Sequence, residues 1–121
     1  MAVEKKKVQT FLDGVCDIWR QEDSGQFVRI RSAVRYANRI IGSKRSFEAM
    51  QAGHTIQKVI RVPLYGMPFN GCRVSIGTQQ YEILQVQGLD DTSPRCAQLT
   101  LEQPDILWAL NEAGGVADGC T

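Results

Sequence analysis

A chain of 121 residues, 43% apolar and 22% charged, fits one soluble domain and excludes composition-driven disorder over most of its length. Its net charge of +1 conceals segregation: residues 26–80 carry nine Lys/Arg against Glu48 alone, whereas residues 81–121 carry Arg95 against seven acids. A basic middle and an acidic end suit nucleic acid, an acidic partner or head-to-tail contact between copies, or else solvated faces that merely segregate along the sequence.

Residues 1–13 read as an N-terminal arm, a helical turn or a loosely ordered segment, with Lys5, Lys6 and Lys7 at its start and Phe11 and Leu12 able to dock. Gly14–Arg20 is rich in strand formers, and Glu22-Asp23-Ser24-Gly25 is a turn by composition. The second strand has the clearest alternation, with Val28, Ile30, Val34 and Tyr36 on one face and Arg29, Arg31 and Arg35 on the other. Guanidinium groups in such a row repel one another unless solvated or matched by anions. The row is therefore either a wet outer face or a basic interface for phosphate or an acidic neighbour.

A basic loop is expected around 34–45, holding Arg35, Arg39, Lys44 and Arg45. Ser43 can cap a short inserted helix that carries Phe47 and Met50 on one face and stops at Gly53. His54, the one histidine, has no second histidine or local cysteine–carboxylate cluster to make a metal or general-base site. A strand over Thr55–Val62 stops at Pro63, and Asn70-Gly71 signals a tight turn. Cys72, Val74 and Ile76 should point inward and Arg73 and Ser75 outward. The hairpin returns through Tyr81–Val86, which is apolar on both faces and so is expected to be covered on each. In the last strand Ala97, Leu99 and Leu101 alternate with a wet face of Gln98, Thr100 and Glu102. Ile106, Leu107, Trp108 and Leu110 then read as a short apolar C-terminal helix capped by Asp105, docking on the barrel or on a neighbouring subunit.

Sites of chemistry are not evident. Cys16, Cys72, Cys96 and Cys120 form no C-x-x-C pair or zinc spacing, and they suit reduced, buried thiols. No phosphate-cradling glycine motif or nucleophile signature occurs, and no long apolar run suggests export or a membrane span. Neither an enzyme nor a cofactor is expected. The fold class expected is mainly β: a small barrel of about six strands over 14–103, with one short inserted helix and a short C-terminal helix within 104–121.

RSFEAMQAG (Arg45–Gly53), GCRVSIGTQQYEILQV (Gly71–Val86), Asp90-Asp91 and AQLTLE (Ala97–Glu102) together resemble the head–tail adaptor and head-closure (stopper) proteins of long-tailed bacteriophages. The resemblance spans roughly residues 14–103 and omits the C-terminal apolar segment. It implies a virion protein at the head–tail interface, made in the host cytoplasm. Its copies would form a homo-oligomeric ring, six- or twelve-fold, with the portal or adaptor above, a tail protein below and packaged double-stranded DNA in the channel. Arg35, Arg39, Lys44 and Arg45 would fall near a loop projecting into that channel, and Ile106, Leu107, Trp108 and Leu110 would be candidates for docking a subunit or partner. A small-barrel nucleic-acid-binding module and another neck or tail-completion ring protein are the alternatives.

Overall fold

Alternating apolar residues build almost everything in the computed structural model, which describes residues 7–42, 50–53 and 55–110. Eight strands follow in order: β1 (Lys7–Val8), β2 (Gly14–Gln21), β3 (Phe27–Arg39), β4 (Ile56–Val62), β5 (Cys72–Ile76), β6 (Gln79–Leu89), β7 (Thr92–Ser93) and β8 (Cys96–Glu102). Six of them form one antiparallel sheet in the order β2-β3-β4-β8-β6-β5, and β5 pairs back onto β2 from Asp17↔Ser75 to Arg20↔Cys72, closing a barrel. Closure gives every strand of that sheet a neighbour on each side, although β3 meets β4 only over Ala37–Arg39 and β6 meets β5 only over Gln79–Glu82. The barrel is filled by Cys16, Ile18, Val34, Tyr36, Ile60, Val62, Val74, Leu99 and Leu101, and Phe69 and Met67 from the 63–71 loop pack against the same core.

β1 and β7 make a separate parallel pair. The backbone amides of Lys7 and Gln9 donate to the carbonyls of Asp91 and Ser93, each at 3.0 Å. The end of the expected arm is thus tied down as a strand.

Two irregularities explain where the sequence pattern misleads. Tyr81–Val86 looks apolar on both faces because β6 carries a bulge: Ile83 pairs with Leu101 and Gln85 with Thr100, leaving Leu84 as the extra residue. Alternation resets there, so Ile83 and Val86 come opposite the core residues Leu101 and Leu99. The expectation of a strand covered on both sides is corrected to one bulged strand, with Val86 43% exposed.

β3 is bulged as well. Cys16 pairs with Val34 but Ile18 pairs with Arg31, so Ser32 and Ala33 stand opposite Asp17 alone. Ala33 takes φ 53°, and its amide donates to Asp17 Oδ1 at 2.8 Å. The Asp17 carboxylate supplies the acceptor that the interrupted ladder cannot. Asp17→Ala is expected to lower stability by about 1–3 kcal/mol, the usual loss when a charge-assisted hydrogen bond is removed. Asp17→Asn, which keeps the acceptor oxygen, should recover much of it; chemical denaturation of the two variants checks this.

Several expectations about helices and loops change. Residues 34–39, expected in a basic loop, belong to β3, where Ala37–Arg39 pair with Val59–Arg61 of β4. Residues 106–110 form no helix. The backbone groups of Ile106 and Trp108 are instead taken by barrel side chains, described below, so the segment lies as an irregular strip and not as a helix. Of the inserted helix, only Met50 and Gln51 are helical among the described residues; Ser43, Phe47 and His54 lie outside them. The wet face expected on β8 shrinks too, since Thr100, paired with Val59, is buried.

Cys16, Cys72 and Cys96 are buried free thiols, and Cys120 lies outside the described residues. Burial, with a smaller push from the Asp17 carboxylate, raises the Cys16 thiol from 9.0 to about 12. Burial also raises the Cys72 thiol and, with Cys16 next in effect, the Tyr36 phenol. Unfolded, the Cys16 thiol would ionise near pH 9, whereas the folded chain holds its proton until about pH 12. Its contribution is therefore complete below about pH 9 and is lost as pH rises toward 12. The urea midpoint should fall between pH 9 and 11, less steeply in Cys16→Ala. Cys16 is 2% exposed and burial keeps its thiol protonated near neutral pH, so its alkylation should require unfolding.

Candidate interaction surfaces

The outer face of β3 is basic but not a uniform row. Arg31, Arg35 and Arg39 are exposed. Arg29 is half-buried: its Nη1 lies 3.5 Å from Asp17 Oδ2, and its guanidinium carbon lies 5.5 Å from the Trp19 ring centroid. Arg31 Nη1 donates to the carbonyl of Ile30 at 2.8 Å, and the Ser32–Ala33 bulge separates it from Arg35. Arg39 acts on Arg61, whose pKa is drawn down by burial and then by that neighbouring charge. Arg61 itself donates to Gln98 Oε1 at 2.9 Å and Gln9 Oε1 at 2.7 Å, bracing the N-terminal segment against β8. Lys44 and Arg45 lie outside the described residues.

Beside Arg35 the surface turns apolar. Val15, its Cα partner on β2, is 53% exposed, and Leu12 is 77% exposed. An open groove of about 560 Å³ runs between Phe11, Leu12, Ala33, Val34, Pro63 and Leu64, with Arg35 on its wall. Ile40 at the end of β3 is 97% exposed.

The second surface is the outer face of β5, which sequence parity marks as wet. Arg73 and Ser75 do point away from the core residue Val74, yet both are buried. Ser75 Oγ accepts the Trp19 indole N–H at 2.9 Å. Arg73 is 5% exposed and donates to three neighbours. Its Nη2 donates to Glu82 Oε1 at 3.0 Å; its Nη1 donates to Gln80 Oε1 at 3.1 Å and to the carbonyl of Ile106 at 2.7 Å. Burial draws its pKa down and the Glu82 carboxylate opposes that change.

Segment 104–110 is what covers this face. The guanidinium carbon of Arg73 lies 4.2 Å from the centroid of the Trp108 ring, and the Phe27 ring stacks on the indole at 4.7 Å with an interplanar angle of 21°. Gln80 treats Trp108 as a strand neighbour would: its Oε1 accepts the Trp108 amide at 2.9 Å and its Nε2 donates to the Trp108 carbonyl at 2.7 Å. Next to the indole is a cavity of about 420 Å³ bounded by Asp17, Trp19, Arg29, Ser75, Gln80 and Trp108.

Of the residues singled out in the sequence, the structure therefore engages Trp108 and Arg29, leaves Arg31, Arg35 and Arg39 exposed on β3, and leaves Ile106 and Leu107 at 75% and 70% exposure. Leu110 is half-buried. Phe27, Arg73 and Gln80 escaped sequence reasoning. A tryptophan just beyond the last strand was the available signal that some outer face is covered, but nothing local in the sequence says which one.

Among the described residues no group of three or more His, Cys, Asp or Glu could hold a metal ion, and no helix is long and apolar enough to cross a membrane. No protein-family model, curated protein or solved structure matches the chain.

Proposed function

We propose that this chain is a structural virion protein of a tailed-bacteriophage neck, one copy of a ring that joins the portal or its adaptor to the tail and closes the DNA exit channel after packaging. The observation that carries the reading is the exposure of Arg31, Arg35 and Arg39 on one strand of a barrel whose six strands are all paired on both sides. Each of the six barrel strands already has a neighbour on either side, which favours contact between copies through side-chain faces. A ring from one chain needs two different faces on each copy. The mixed surface of Leu12, Val15 and Arg35 is one candidate face, and exposed Ile106 and Leu107 are another. The resemblance of Gly71–Val86 and Ala97–Glu102 to head-closure proteins supports the same reading, and these segments supply β5, β6 and β8 of the barrel.

On this reading Arg35 and Arg39, followed in sequence by Lys44 and Arg45, contribute to the positive lining that holds DNA phosphates. Replacing Arg31, Arg35 and Arg39 by glutamine tests it. The substituted chain should still fold but should be lost from particles, or should enter particles that fail to retain DNA. The same exposed arginines favour a small-barrel nucleic-acid-binding module as the second reading. That reading expects the isolated chain to bind duplex or single strands with an affinity that drops steeply with salt, and the triple variant simply to bind less. Wild-type chain that co-purifies with portal and tail proteins favours the neck; chain that captures only nucleic acid favours the module.

A further inference from the structure

We propose that the groove formed by Phe27, Arg73 and Gln80 is a recognition site for the Trp108 segment, and that in assemblies it takes this segment from a neighbouring copy of the chain. The site is built around its occupant. An indole lies on a buried guanidinium and an aromatic ring, and one side-chain amide reads both backbone groups of Trp108. Arg73 fixes that amide by donating to the same Gln80 oxygen, and its second bond, to the Ile106 carbonyl, sets the segment's direction.

The occupant is separable from the barrel. Residues 103–110 belong to no strand or helix; side chains of Arg73 and Gln80 bond the backbone of Ile106 and Trp108, and the Leu110 amide donates within the segment to the Trp108 carbonyl at 2.9 Å. Lifting the segment breaks no rung of the barrel. Gln103, Pro104 and Asp105 connect it to β8, with Gln103 and Asp105 exposed and Pro104 buried, and in the proposed exchange these three residues redirect the segment to another copy. A second observation points to a neighbour. Ile106 and Leu107 are 75% and 70% exposed although the residue after them is engaged. Two adjacent apolar side chains beside an occupied groove are left to meet another surface, and in the exchanged arrangement they lie at the junction of two copies.

Exchange remakes the same contacts in trans, so its balance depends on proximity. In a dilute monomer the tethered segment wins through its high effective concentration; copies held side by side remove that advantage. The inference stands on the groove and its occupant and does not require the neck reading.

Two full-length variants with different tags test it. Trp108→Ala keeps the groove and spoils the segment; Phe27→Ala with Gln80→Ala keeps the segment and spoils the groove. Exchange predicts that the mixture forms a complex, seen by reciprocal pull-down and sedimentation velocity, that neither variant forms alone. It also predicts that a labelled peptide of residues 103–110 binds the Trp108→Ala chain at least tenfold more tightly than the wild type, whose groove is filled. Arg73→Met replaces the double variant if the latter does not fold by circular dichroism. Absence of the mixed complex overturns exchange even if the peptide binds, because recognition would then be confined within one chain. A peptide that binds wild type and Trp108→Ala equally places the site elsewhere and overturns the groove itself.

Discussion

Leu99→Ala is expected to lower the stability of the chain by about 2–5 kcal/mol, the range for emptying a leucine site in a packed core. Leu99 is fully buried in β8, whose neighbours are β4 on one side and β6 on the other, so the cavity would open where three strands meet. It pairs with Ile60 on β4 and Val86 on β6. Relaxation is limited because a closed barrel cannot shift one strand without moving both partners. Against a typical domain stability of about 5–15 kcal/mol, such a loss is visible as a large drop in the urea midpoint. Val86→Ala, at a position 43% exposed, should cost about 1 kcal/mol or less and serves as the internal comparison. Equal effects at the two positions would mean that the core does not lie where β8 places it.

The second large effect is local. Trp108→Ala should leave the barrel folded and release residues 104–110 from its outer face. Loss of the indole removes the stacking on Phe27 and the cover over Arg73, leaving two hydrogen bonds with the Gln80 side-chain amide and one from the Arg73 guanidinium to hold an irregular segment. Contacts of this kind are worth about 1–3 kcal/mol together, so exchange of the backbone amide at position 108 should accelerate roughly 10- to 100-fold. Proteolysis within residues 105–110 should become easy under conditions that leave the wild type intact. Trp19→Ala is the contrast: Trp19 is 4% exposed and bonded to Ser75, so its removal should lower the midpoint of the whole barrel. Unchanged exchange at position 108 would show that the segment is held by something other than this clamp.

The barrel was legible because its inner face follows simple parity. Cys16 and Ile18, Val34 and Tyr36, Cys72 and Val74, and Leu99 and Leu101 each alternate with polar or charged neighbours, and all of them are in the core. Parity fails where an extra residue enters a strand, and bulges have no reliable composition. Leu84 is an ordinary apolar residue, and Ala33 is not a residue type that announces φ 53°. The outer faces were the harder part. Alternation marks Arg73 and Ser75 as outward, which is right, but outward is equated with wet only when nothing returns to cover the sheet. The covering segment lies 28 to 33 positions further along the chain, and the contact is made by one indole and one side-chain amide with no periodicity to reveal them. For the same reason Ile106–Leu110 read as a helix: a run of apolar residues after Pro104 looks amphipathic until the groove that receives it is known. The arginine row was half legible. Its facing is clear from the sequence, but the salt bridge that draws Arg29 toward Asp17 depends on β2 meeting β3 at the bulge.

The neck reading meets its most direct test in the particles themselves. Deleting the gene for this chain from the genome that encodes it, and imaging the particles produced, should yield filled or leaking heads without tails, with normal structure restored by the wild-type chain supplied in trans. Tailed, DNA-filled, infectious particles formed in normal number without the chain would contradict the account.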